Sequence, residues 1–179
     1  MADFESWDSA GREFDAVVSG EAWPWVDPVA GAAKAARVLR PGGRFAAFWN
    51  VGEPDPEVAE VFAAVYRELL PGSRALRRWT TGTDRYTSAA PRTADGMQKT
   101  GEFTEPEQWR FSWERFYTRD DWLEELPTTG GFSAAAERGN RTHRERHRHV
   151  GGAFRMYYTA TVITAVRAGA ASRGERRPS

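Results

Sequence analysis

The chain contains no cysteine. Disulfide scaffolds and thiolate metal sites are therefore excluded. No apolar run approaches the ~20 residues that a membrane-spanning helix needs, and no signal-peptide pattern opens the chain. A soluble cytoplasmic protein with no membrane partner is expected. Net charge is also lacking, since 25 Lys and Arg balance 25 Asp and Glu. No bulk field favours nucleic acid. Histidine is scarce, and His143, His147 and His149 all fall in one basic run, "RTHRERHRH". On a helix His143 and His147 could share a metal, but no third ligand has firm geometry, so no metal is expected. The run has no aromatic interleaving, which weighs against nucleic acid and for a solvated face. Residues 137–149 hold no aliphatic side chain, so no amphipathic helix is expected there. Finally, no G-x-G triplet occurs anywhere in the chain.

What is present suits one domain with a real core: 179 residues, eight of them tryptophan. Phe14 to Val18 is an apolar run of strand length. Asp27-Pro28 announces a helix, with Asp27 capping the first amides and Pro28 in the first turn. Val29, Ala32, Ala33, Ala36 and Leu39 are expected on its inner face, and Pro41-Gly42-Gly43 is expected to end it. "RFAAFWN", Arg44 to Asn50, is a second strand. Strand, helix and strand make a crossover unit with two parallel strands. A linker is expected from Gly52 to Pro56, then an amphipathic helix from Pro56 to Leu70. Residues 73–106 are expected to be loops with at most one short helix. Gln108 to Thr118 alternates as a strand. Thr118 with Asp121 forms a capping box opening a short helix. Residues 153–167 form a long strand, with Phe154, Met156, Tyr158, Ala160 and Val162 on one face. Residues 168–179 are expected to be a disordered tail.

These words in this order resemble the class I S-adenosylmethionine-dependent methyltransferases, specifically the small-molecule "type 11" group. The matching stretches are "FDAVVSGEAWPWVDP", "AAKAARVLRPGGRFAAFWN", "RFYTRDDWLEELP" and "GGAFRMYYTA". The resemblance implies an α/β fold: the C-terminal half of a Rossmann-like methyltransferase sheet, a helical insertion and a terminal antiparallel strand pair. It implies cofactor-domain residues 1–51, an acceptor lid over 52–106 and a closing strand–helix–strand over 107–167. Ligands in open α/β sheets collect at the carboxyl ends of strands. There the resemblance places Ser19, Gly20, Glu21, Ala22 and Trp23 against the cofactor, with Glu5 and Trp7 at its adenine. Packing aromatics and a solvated terminus are the bland alternatives for the tryptophans and for Glu5. Trp25, Arg110, Arg115 and Tyr117 are candidates for the acceptor. Pro24 stands where the group often has His, and Glu21 where it often has Gln.

The group's glycine-rich loop and its ribose-gripping acid have no counterpart here. The resemblance implies that both lie upstream, so the chain is expected to be the C-terminal portion of a methyltransferase acting on a small molecule, with a carboxylate-bearing acceptor among the candidates. S-adenosylmethionine is the implied cofactor, but no measurable binding by this chain alone is expected. "FDAVV" is expected to be an open edge, inviting self-association or a complementing N-terminal fragment. No nucleophile–base pair is legible, so no catalytic residue is assigned. The alternative reading is a non-catalytic remnant or binding module.

Overall fold

A computed structural model describes residues 3–69, 71, 76–77, 86–125 and 152–169. Four strands form one mixed sheet in the order β1-β2-β4-β3. They are β1 (Phe14–Gly20), β2 (Leu39–Pro54), β3 (Glu107–Thr118) and β4 (Ala153–Val166). The helices are α1 (Pro28–Val38), α2 (Pro56–Leu69), α3 (Ala89–Thr100) and α4 (Arg119–Glu125), and Trp23–Trp25 is a 3-10 turn. β1 and β2 pair in parallel, with Ala16 opposite Arg44 and Gly20 opposite Phe48. β3 and β4 run antiparallel. The Arg119 amide donates to the Gly152 carbonyl at one end, and the Thr104 amide to the Val166 carbonyl at the other.

The chain divides into two compact units. The first holds Met1–Asn50, Ser88–Phe111 and Ala160–Ser179. In it α1 packs on α3, and Leu39, Phe45, Trp49, Met97 and Ile163 lie in the core. The second holds Val51–Thr87 and Ser112–Thr159. Its core is an aromatic cluster of Phe62, Tyr66, Tyr117, Trp122 and Phe154 with Leu123 and Met156. Trp122 stacks on Phe62, with ring centroids 5.2 Å apart, and meets Phe154 edge-on at 5.5 Å. Residues 88–106, read from sequence as part of the lid, lie with the first unit.

Several local expectations change. The helix before "PGG" stops at Val38, and Pro41, Gly42 and Gly43 lie inside β2. Pro41 forces Arg40 out of the helical region, so the extended chain starts before the glycines. The irregular register between Phe14 and Ala16 absorbs this kink. The inner face of α1 is also rotated. Ala32, Ala35 and Ala36 are buried, while Val29 is exposed. The expected linker from Gly52 is largely strand, since β2 runs to Pro54. In the stretch expected to be loops with at most one short helix, the helix is α3, 12 residues long. On β4 the buried positions shift from Phe154 and Met156 to Thr161, Ile163, Thr164 and Ala165. There β4 is an interior strand, so a one-face pattern no longer applies. The histidines and the tail beyond 169 lie outside the described residues.

Candidate functional site

The candidate site is the turn that follows β1. Parallel strands with a helical crossover leave their carboxyl ends free to meet a ligand. β1 ends at Gly20, whose Cα packs under the Phe48 ring. A Cβ there would lie 2.9 Å from the ring edge. Glu21 then takes a left-handed backbone, φ 59°. A side chain in that region costs about 1–3 kcal/mol, which surrounding contacts must hold in place. They do so here. The Glu21 amide donates to the Phe48 carbonyl at 2.8 Å. Its Oε1 accepts from the Asn50 amide at 3.0 Å and from Asn50 Nδ2 at 2.9 Å. Glu21 and Asn50 thus tie the carboxyl end of β1 to the middle of its parallel partner β2. Asn50 was not singled out from the sequence. Its only signal there is a polar residue closing the apolar run of the second strand.

Trp23 and Trp25 divide the roles open to them. Trp23 is 3% exposed and meets Phe45 edge-on at 4.5 Å and Phe4 at 5.7 Å. Trp25 is 49% exposed. Ser19 is half-buried, while Gly20, Glu21 and Ala22 are exposed. Of the N-terminal candidates only Glu5 reaches the same region, while Trp7 packs at the amino end of β1. Glu5 Oε1 accepts from the Asp27 amide at 2.9 Å, just ahead of α1. Trp7 lies beside Phe14, with the Lys34 ammonium and Arg12 guanidinium each 5.4 Å from its ring centre. The Lys34 ammonium also donates to the Trp7 carbonyl. These contacts pin the segment 3–12 against β1 and α1.

The remaining candidates lie elsewhere. Arg110 is exposed on β3, where its guanidinium donates to the Gln108 side-chain oxygen at 2.7 and 2.9 Å. Arg115 and Tyr117 belong to a polar cluster in the second unit. The Tyr117 hydroxyl donates to Glu125 Oε1 at 3.0 Å and lies 2.8 Å from the Tyr158 hydroxyl. Glu125 Oε2 pairs with Arg115 at 3.2 Å, and the Arg115 guanidinium sits 4.5 Å from the Tyr117 ring centre. Burial holds the Tyr117 phenol well above the ordinary tyrosine range, and the Tyr158 hydroxyl adds to the effect. Tyr117 is 1% exposed. Among the described residues no group of His, Asp and Glu is arranged to hold a metal, and no helix is long and apolar enough to cross a membrane.

Around the carboxyl end of β1 stand the turn Gly20–Trp25, Asn50 and Glu5. Glu5 already accepts from the Asp27 amide. Glu21 already accepts twice from Asn50. The sequence offers no glycine-rich loop for the methionine side. This set does not fit the whole cofactor.

Residues 1–47 match the family model described as "Methyltransferase domain". Uncharacterized methyltransferases of Mycobacterium bovis and Mycobacterium tuberculosis are each 56% identical over 36 residues, covering 20% of this chain and 15% of theirs. A solved structure assigned as a type II methyltransferase from Anaeromyxobacter dehalogenans aligns with a TM-score of 0.54 at 23% identity. It covers 86% of this chain, which in turn spans 65% of that one.

Proposed function

We propose, for a chain that by its N-terminal sequence and its fold stands with the class I S-adenosylmethionine-dependent methyltransferases, that it forms one wall of a small-molecule methyltransferase site and does not hold the cofactor alone. The observation that carries this is the turn Gly20–Trp25. It falls inside the matched segment and sits at the carboxyl end of β1, beside its parallel partner β2, with Glu21 held in a left-handed backbone.

The weakness of the chain alone can be sized. A hydrogen bond from a hydroxyl to a carboxylate contributes about 1.5–3 kcal/mol. Without an acid for the two ribose hydroxyls, about 3–6 kcal/mol is missing, or 10² to 10⁴ in affinity. The donors of a glycine-rich loop are missing as well. A partner that supplies these groups has a place to join. β1 is the outermost strand of the sheet order, and Val18 is 65% exposed on it. A strand added along β1 would bring a glycine-rich loop to the carboxyl end where Glu21 sits. The same edge gives a route to self-association. In the first unit Trp25 and Arg110 remain candidates for acceptor contact, while Arg115, in the second, is paired with Glu125. Tyr117 would act through its hydrogen bonds to Glu125 and Tyr158 rather than by touching the acceptor.

The test is complementation. The chain is mixed with a polypeptide carrying a strand and a G-x-G-x-G loop, and cofactor binding is followed by calorimetry. Binding in the mixture and none in either part alone is the expected result. Failure of the mixture to bind, with both parts folded, counts against the reading.

A further inference from the structure

The strand order leaves a second outer strand, β3, at the opposite end of the sheet from β1. It is twelve residues long, and every residue in it but Tyr117 is exposed. A long exposed strand at a sheet edge is a template for pairing with another chain. Trp109, Phe111 and Trp113 alternate along one of its faces, all three exposed. Arg110, Ser112 and Glu114 alternate along the other. Charges on an edge strand usually guard it against pairing. Here they are self-complementary. When β3 runs antiparallel to a second copy about a two-fold axis at Ser112, Arg110 of each copy lies opposite Glu114 of the other. On the other face Phe111 of each copy lies opposite Trp113 of the other, and no like charges meet. Both side chains of the charge pair are open to it. The Arg110 guanidinium is held by the neutral Gln108 side chain. Glu114 meets Arg155 at 3.3 Å through Oε2, which leaves Oε1 to take a second guanidinium. The neighbouring registers are poorer. An axis at Phe111 sets Glu107 opposite Arg115, which Glu125 already holds at 3.2 Å. An axis at Trp113 brings no opposite charges together within the strand.

We propose that β3 is a self-association edge, across which two copies of the chain pair antiparallel in the register centred on Ser112. Opposite charges and aromatic side chains directly across an antiparallel pair are the contacts that stabilise it. A single strand pair is a small interface, so a dissociation constant in about the micromolar to millimolar range is expected. The inference does not rest on methyl transfer. In the dimer Arg110 is engaged by the second copy, which leaves Trp25 as the first unit's candidate for the acceptor.

The test is sedimentation equilibrium of the full chain carrying Val18→Lys, which closes the β1 edge and isolates β3. A concentration-dependent dimer is expected. Arg110→Glu and Glu114→Arg each set like charges against one another at two places and should weaken the dimer about tenfold or more. An equimolar mixture of the two singly substituted chains sets Glu against Arg at both places again, and should dimerise about as tightly as the parent. That recovery also shows both substituted chains to be folded. A chain that stays monomeric up to millimolar concentration, single substitutions that leave the dimer unchanged, or a mixture no tighter than its parts overturns the proposal.

Discussion

A Cβ built on Gly96 would lie 2.2 Å from the Pro28 carbonyl oxygen. That oxygen belongs to the first turn of α1, so α3 and α1 meet backbone to backbone at this point. Gly96→Ala must push the helices apart, and overpacking of this kind costs about 1–3 kcal/mol. Thermal melting should show that loss, and an unchanged midpoint would mean that the helices do not meet there. Tyr117 makes a second residue-scale case. Tyr117→Phe removes two hydrogen bonds inside an aromatic core and should cost about 1–2 kcal/mol. Its pH signature is distinct. The folded phenol titrates above the free value of about 10. Its contribution is therefore intact below that value and is lost as pH rises beyond it. Wild-type stability should fall more steeply above about pH 10 than that of Tyr117→Phe; parallel curves would contradict this. At this scale the sequence is a partial guide. Trp23 and Glu21 stand out by type and place, but the left-handed backbone at Glu21 does not, because glycine is the residue that usually marks it. Asn50 becomes visible only once the two strands lie side by side.

Helix ends carry the clearest local rules. Asp27 Oδ1 accepts from the Val29 amide at 3.0 Å and the Ala30 amide at 2.8 Å, as the Asp-Pro pair predicts. Asp27→Ala should destabilise by about 0.5–2 kcal/mol in denaturant titration. At α4 the expected capping box forms. Asp121 Oδ2 accepts from the Thr118 hydroxyl at 2.6 Å and from its amide at 3.1 Å. The Asp121 amide donates back to the Thr118 hydroxyl at 3.2 Å. Thr118's hydroxyl, then its amide, hold the Asp121 carboxyl below the ordinary aspartate range. The cap's stabilisation is therefore present above that ordinary range and is lost as pH falls through the lowered value. Asp121→Asn should remove this acid-side dependence; the same acid limb in wild type and variant would refute the assignment. Caps of this kind are legible because they are local. The position and length of α3 were not, since "AAPRTADGMQKT" carries Pro, Gly and little apolar weight. Its helicity depends on small side chains packing on α1, a contact between segments about 60 residues apart in sequence. The same limit hid the early end of α1. A proline acting on the residue before it outweighed the glycines after it.

For the whole molecule, the fold was legible through the crossover 14–50, where period, cap and breaker agree. The division into two units was not. Strands β2, β3 and β4 each contribute residues to both units, so no linker marks the boundary in sequence. The open edge at β1 is a property of the sheet order, and its consequence is testable as association. Val18→Lys places a charge on that edge and should reduce concentration-dependent self-association in light scattering. A particle size that neither grows with concentration nor responds to the substitution would remove the edge from the account.

A calorimetric titration of the purified chain with S-adenosylmethionine bears most directly on the one-wall reading. That reading predicts no binding heat up to millimolar ligand, with heat appearing only when a strand and glycine-rich loop are supplied in trans. Saturable binding by the unaided chain, with a micromolar dissociation constant, would contradict it.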